Sequence, residues 1–252
     1  LALEKTTKII HIDIDPAEIG KNIGADLPLV GDAKLVLQQM TELAKPMKHD
    51  EWIAHIKTLG GERKYVEPAK GTVNPRVFID RLAKKMPANV TVVADVGQNQ
   101  IWTCTEYKFR KEGRLLTSGG MGTMGYSVPA AIGAKMADNS RATVAICGDG
   151  AFQMSFMELA TAVQFGVDIK VVVMTNNRLG MVRELQTNGY HDRQTAVFLD
   201  GSPDFIKLAE AYGIPAMRVY DDDTMEKGVE MLAEHKGICL VEVVVDKDMP
   251  TL

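Results

Sequence analysis

The chain has 252 residues, 46% of them hydrophobic and 25% charged, with a net charge of −4. That is enough for one large domain or a domain with an appendage, and the composition is that of an ordinary globular protein. The negative balance and scattered basic residues speak against nucleic-acid binding, and no signal peptide or membrane-length apolar run is visible, so the cytoplasm is the expected compartment. The three cysteines, Cys104, Cys147 and Cys239, share no metal-ligand spacing and cannot all pair, which implies a reducing environment.

In chain order, residues 8–15 alternate apolar and polar side chains and predict a strand, and Pro16-Ala17-Glu18 opens a short helical turn. Residues 33–44 predict a helix with Leu35, Val36, Met40 and Leu43 facing inward. The chain opens at Leu1 without an initiator Met, and this β–α material is too little to close a core. Residues 1–45 therefore read as the tail of another α/β domain within a longer protein. Residues 46–73, punctuated by Pro46, Gly60-Gly61, Pro68 and Gly71, read as a linker carrying one short helix near 52–59.

From residue 74 the pattern is regular. Asn74-Pro75 predicts an N-cap and first helical residue, with Val77, Phe78, Leu82 and Met86 on the apolar face. Strands are expected at 90–96, 114–117, 142–147, 169–175, 216–220 and 238–245, and helices at 124–137, 203–212 and 221–235. Residues 188–202 read as a surface loop. Six strands alternating with helices predict that residues 74–252 form a doubly wound α/β domain, a mostly parallel six-stranded sheet with helices on both faces.

The stretch 142–181 organises this domain. Gly148-Asp149-Gly150 breaks a buried strand, and Phe152, Phe156, Leu159, Ala160 and Val163 then fall on one face of a helix starting near Ala151. A second strand leads into Asn176-Asn177. This β-α-β unit places both polar motifs at the carboxyl ends of adjacent parallel strands, where open α/β sheets bind ligands. The glycines allow close backbone approach, and a helix start offers free N–H groups to a phosphate. Asp149 supplies a carboxylate and Asn176, 27 positions later (176 − 149), a side-chain carbonyl. A main-chain carbonyl from 177–179, two phosphate oxygens and a water would complete the octahedral oxygen set that Mg²⁺ prefers.

A Gly-Asp-Gly turn alone is common, but followed at this spacing by Asn-Asn it resembles the diphosphate-binding motif of thiamine-diphosphate (ThDP) enzymes. TSGGMGTMGYSVPAAIGA (117–134) and DVGQNQIW (95–102) extend the likeness to the acetohydroxyacid (acetolactate) synthases. The resemblance implies the ThDP-binding fold and a transferase of branched-chain amino-acid biosynthesis, which decarboxylates pyruvate and joins the two-carbon unit to a second 2-ketoacid. It implies ThDP and Mg²⁺ as cofactors, with FAD possible in the full-length enzyme.

Carried onto this sequence, the resemblance makes Asp149, Asn176 and the main-chain carbonyl of Arg178 the metal ligands. The Asn pair leaves Asn177 as the other candidate; counting back from Gly180-Met181, which match the family's Gly-Met, favours Asn176. Gly148, Gly150, Ala151 and Phe152 are expected along the diphosphate, with Gln98 and Asn99 approaching it, Asn99 standing where the family has His. Gly122 and Met124 match a motif whose apolar residue wedges between the cofactor rings, although Met124 would also suit a core. Leu179, Gly180 and Met181 are expected to flank the pyrimidine. Leu185 replaces a Trp of the acceptor pocket, which leaves acceptor preference open, and Arg183 reads as a solvated helix residue able to meet a carboxylate. Asp13 and Asp32 match acids that lie along FAD in the family's middle domain, and would equally suit solvated loops.

No catalytic side chain is expected in this chain, because the family's general base is a glutamate on the N-terminal domain of a partner subunit. The isolated chain is accordingly expected to be inactive, and the parent a homo-oligomer, dimer or tetramer, with a possible regulatory small subunit. Relatives of the glyoxylate carboligase, sulfoacetaldehyde acetyltransferase or pyruvate oxidase type share these motifs. A non-catalytic nucleotide-binding domain is the remaining alternative, though the sequence lacks the P-loop signature.

Overall fold

The computed structural model describes residues 7–59 and 65–251. The chain divides into two compact units, Leu1–Arg63 and Lys64–Leu252.

In the first unit, β1 (Ile10–Asp13) and β2 (Leu27–Val30) pair in parallel, with Asp13 opposite Val30. The stretch after β1 forms a hydrogen-bonded turn, not a helix. Helix α1 (Ala33–Leu43) is capped by Asp32, whose carboxylate accepts the Leu35 N–H at 3.1 Å. Its expected inward face is not buried: Leu35, Met40 and Leu43 are exposed and Val36 is only partly covered. Two four-residue strands offer too little sheet to cover a helix. The expected linker divides. Helix α2 (Asp50–Leu59) belongs to the first unit, while residues 65–73 pack with the second, where Val73 donates its N–H to the Val244 carbonyl at 2.9 Å.

The second unit runs α3 (Pro75–Lys85), β3 (Thr91–Ala94), α4 (Gln98–Glu106), β4 (Arg114–Thr117), α5 (Ser127–Ala137), β5 (Thr143–Gly148) and α6 (Asp149–Gln153). A 3-10 turn (Phe156–Glu158) leads to α7 (Leu159–Gln164), β6 (Lys170–Thr175), α8 (Gly180–Gly189), α9 (Phe205–Ala211), β7 (Ala216–Val219), α10 (Asp222–Glu234) and β8 (Cys239–Val244). The six strands form one parallel sheet in the order β4-β3-β5-β6-β8-β7.

Alternation along the central strands feeds two cores, so the sheet is doubly wound. Val144 and Ile146 of β5 join Phe78, Leu82 and Trp102 on one face. Ala145 and Cys147 join Val128, Phe152 and Phe205 on the other. Each fully buried Val, Leu or Phe side chain contributes roughly 1.5–3 kcal/mol. Strand order reverses between β3 and β5: the chain steps outward from β3 to β4, crosses back, and continues through β5 to β6. A crevice at the carboxyl ends is the geometric result.

Three helices depart from expectation. The helix after Gly148 is not continuous but splits into α6, the 3-10 turn and α7. Met154 and Ser155 close tight bonds to Ala151 and Phe152, and Ser155, at φ −143°, leaves the helical region. The split puts Ala162 in the core and leaves Ala160 and Val163 exposed. Helix α5 starts at Ser127, so Met124 precedes it in a turn. The cause is the fully buried Asp95, whose carboxylate accepts the N–H groups of Gly125 (3.0 Å) and Ser127 (2.8 Å) and so caps α5 from another element. Arg183, expected in solvent, is buried on α8, with Nη1 3.8 Å from Asp248.

Candidate functional site

Helices on this chain begin in two ways. Helices α1, α3, α9 and α10 carry Asx caps, Asp32, Asn74, Asp204 and Asp221, each accepting a first-turn N–H. Helices α4, α6 and α8 begin after Gly97, Gly148 and Leu179 without a side-chain cap. These three starts border one crevice at the switch point. It opens to solvent, with about 520 Å³ of space counted out to and beyond its mouth. Uncapped first-turn N–H groups are donors awaiting an acceptor, so three convergent helix starts suit an anion. Helix α6 spans only five residues and its Gly150 N–H is already bonded to the Asp149 carboxylate, so its part rests on the remaining first-turn N–H groups and little on a macrodipole.

The crevice is lined by Gln98, Asn99, Met124, Gly148, Asp149, Gly150, Ala151, Asn176, Arg178, Leu179, Gly180 and Met181, gathering twelve sequence-derived candidates. Two others lie elsewhere. The Phe152 side chain is fully buried in the core, edge-on to Phe205 at 5.4 Å, which leaves only its backbone near the crevice. Gly122 sits in an exposed turn with φ 66°, outside the lining. Of the asparagine pair, Asn176 lines the crevice, whereas Asn177 is exposed with φ 54°.

Asp149 is buried and accepts N–H bonds from Gly150 (2.8 Å), Asn176 (3.1 Å) and Asn177 (2.6 Å). Loss of water outweighs these bonds and pushes its carboxyl up to about 6. With only neutral donors around it among the described residues, this carboxylate would gain from a cation. No group of three or more His, Cys, Asp or Glu side chains converges among the described residues. A metal here would thus draw on one carboxylate, the Asn176 side-chain oxygen and carbonyls, a hard oxygen set that fits Mg²⁺ on a diphosphate.

Gln98 links these parts. Its Oε1 accepts from Asn176 Nδ2 at 3.1 Å, and its Nε2 donates to Glu184, to the Met249 carbonyl and to Thr251 at 3.0–3.1 Å. Asn99 donates to the carbonyls of Asp95 (2.8 Å) and Ile146 (3.2 Å), joining the ends of β3 and β5. A side chain on Gly150 would put its Cβ 2.7 Å from Leu179 and 3.3 Å from the Met124 methyl, so this glycine keeps the cradle open. Sequence reasoning missed Asp95, although it opens the DVGQNQIW motif, and missed the Gln98 junction, which leaves no local trace. Leu185 is exposed on α8. Asp13 and Asp32 stand at the carboxyl edge of β1 and β2, where Asp13 accepts the Asp15 N–H at 2.9 Å and Asp32 caps α1.

Comparison with known proteins agrees with this geometry. Residues 95–243 match the family described as thiamine pyrophosphate enzyme, C-terminal TPP binding domain, and residues 2–40 match the central domain of the same enzymes. The chain is 36% identical over 245 residues to the acetolactate synthase large subunit of Lactococcus lactis, covering 96% of this chain and 42% of that protein. It is 38% identical over 250 residues to a probable acetolactate synthase large subunit of Methanocaldococcus jannaschii, covering 95% and 42%. With the acetolactate synthase of Mycobacterium leprae the figures are 40% over 254 residues, 95% and 40%. The chain thus spans about two fifths of the length of these curated relatives. The uncapped helix starts, the buried Asp149 carboxylate and the matched span coincide on the same residues, and the chain belongs to the thiamine pyrophosphate enzymes, carrying their C-terminal cofactor-binding domain.

Proposed function

We propose that this chain holds the diphosphate end of ThDP and its Mg²⁺ in an enzyme of the acetolactate synthase type, which decarboxylates pyruvate and transfers the two-carbon unit to a second 2-ketoacid. The observation that carries this reading is the convergence of three uncapped helix starts beside one buried carboxylate. Asp149, the Asn176 side chain and the Arg178 carbonyl would hold the cation. The backbone of Gly148, Gly150, Ala151 and Phe152 would meet the diphosphate, with Gln98, Asn99 and Gly122 at its margin. Met124, Leu179, Gly180 and Met181 would enclose the rings. When bound, ThDP supplies the electron sink for the carbon chemistry, and the residues of this chain bind it, orient it and exclude water.

In the full-length enzyme, FAD would lie along Asp13 and Asp32, which occupy the ligand edge of β1 and β2. Homo-oligomeric assembly, a regulatory small subunit and a cytoplasmic location complete the proposal; three free thiols support a reducing compartment. Among the described residues, no helix is long and apolar enough to cross a membrane.

The test supplies the full-length protein with Mg²⁺, ThDP and pyruvate alone, following CO₂ and acetolactate together. Matched formation of both is expected. CO₂ without acetolactate would assign a decarboxylase or oxidase instead, and neither product, with no ThDP bound, would overturn the reading.

A further inference from the structure

Residues 197–202 follow no sequence pattern, yet they are bonded to both halves of the site. Leu179 donates its N–H to the Val197 carbonyl and Leu199 to the Asn177 carbonyl, each at 2.9 Å, forming an antiparallel bridge centred on Arg178 and Phe198. The Arg178 guanidinium lies 4.7 Å from the Phe198 ring centroid and donates to Asp200 and to the Asn177 carbonyl, both at 2.7 Å. On the far side, Ser202 accepts from Gln153 of α6 at 3.1 Å. One short segment therefore grips the Asn176–Arg178 turn and is bonded to the far end of α6, the helix that follows Gly148.

The gripped turn needs support. Asn177 holds φ 54°, a region that non-glycine residues seldom adopt and asparagine tolerates. Its carbonyl accepts two bonds, from Leu199 and from the Arg178 side chain, which pins the peptide plane immediately before the Arg178 carbonyl. Arg178 thus lines the crevice while its side chain, only 14% exposed, is held by Phe198, Asp200 and the Asn177 carbonyl. Phe198 and Asp200 are themselves exposed, so core packing does not explain them.

We propose that Phe198 and Asp200 are positioning residues, which clasp the Arg178 side chain and so fix the direction of the carbonyl that ligates the cation. This rests on the metal reading above. The Asp200 and Phe198 sides of these contacts are exposed, and each such contact contributes only weakly to fold stability, so truncating either residue should leave the protein folded.

The experiment compares Phe198→Ala, Asp200→Ala and Phe198→Tyr in the full-length protein. One readout is the Mg²⁺ concentration that half-saturates ThDP binding, followed by fluorescence of Trp102, which lines the crevice. The other is hydrogen exchange of the Leu179 and Leu199 amides in metal-free protein. The alanine variants are expected to need about tenfold more Mg²⁺, as for other supports of metal ligands. Both amides should exchange faster, the melting temperature should hold, and Phe198→Tyr should restore wild-type values. Mg²⁺ half-saturation within about twofold of wild type, despite faster exchange, would overturn the positioning role. Unchanged exchange in both alanine variants would overturn the clasp whatever the metal does, whereas a wild-type protein that binds no Mg²⁺ would defeat the functional reading instead.

Discussion

Gly180 has no room for a side chain. A Cβ there would stand 2.0 Å from Gln98 Oε1 and 3.0 Å from Asn176 Nδ2, and Gln98 cannot yield cheaply because its amide is bonded on both sides. Overpacking of this kind costs about 1–3 kcal/mol, so Gly180→Ala should weaken ThDP binding about tenfold, measured by equilibrium titration at saturating Mg²⁺. The position is informative because the residue flanks the pocket and also keeps open the junction that orients Asn176. Sequence motifs located Asp149, Asn176 and Gly180. They were silent on Asp95, Gln98 as a junction, and Phe198, since these act through partners 30 to 153 residues away or through a patternless loop.

The elements separate those shaped by the fold from those shaped by the ligand. Helix α10 has a reciprocal capping box: Asp221 accepts the Thr224 N–H at 2.8 Å, and the Thr224 hydroxyl accepts the Asp221 N–H at 3.1 Å. The Thr224 hydroxyl and amide hold the Asp221 carboxyl below its ordinary 3.8. A depressed acid stabilises the fold above its unfolded value and loses that contribution as pH falls through the folded one. Asp221→Ala should therefore lower the melting temperature by a few degrees near neutral pH, with the gap to wild type closing as pH falls below the ordinary 3.8 and through the folded value in calorimetric scans. Strands were readable because buried runs of four to six β-branched and apolar residues have few other homes. Helix α4 is not legible in the sequence and the start of α8 is obscured, because Gln98-Asn99-Gln100 and Gly180 look like turn chemistry. The same absence of capping residues that hid these helices makes their starts useful to a ligand. The broken helix after Gly148 was misread for another reason: its apolar spacing fits an unbroken face, and only the tight turn at Ser155 reveals the shift.

At the scale of the molecule, β3, β5 and β6 converge on one crevice only after the chain has crossed back over its own sheet. A ligand that binds there recognises the folded unit and not the unfolded chain. At 100 times its dissociation constant such a ligand stabilises by about 2.7 kcal/mol, or about 5–10 °C in melting temperature for a unit of this size. Mg²⁺ with ThDP should produce this shift in the Lys64–Leu252 unit, a chelator should reverse it, and Asp149→Asn should abolish it while leaving the unliganded protein folded. A shift of equal size in Asp149→Asn would place the metal elsewhere.

The three uncapped helix starts at the crevice have a practical corollary. They do not discriminate among small tetrahedral anions, since amide donors read charge and shape, not identity. Phosphate and sulfate buffers are therefore weak competitors for the empty protein, and its apparent cofactor affinity belongs as much to the buffer as to the sequence.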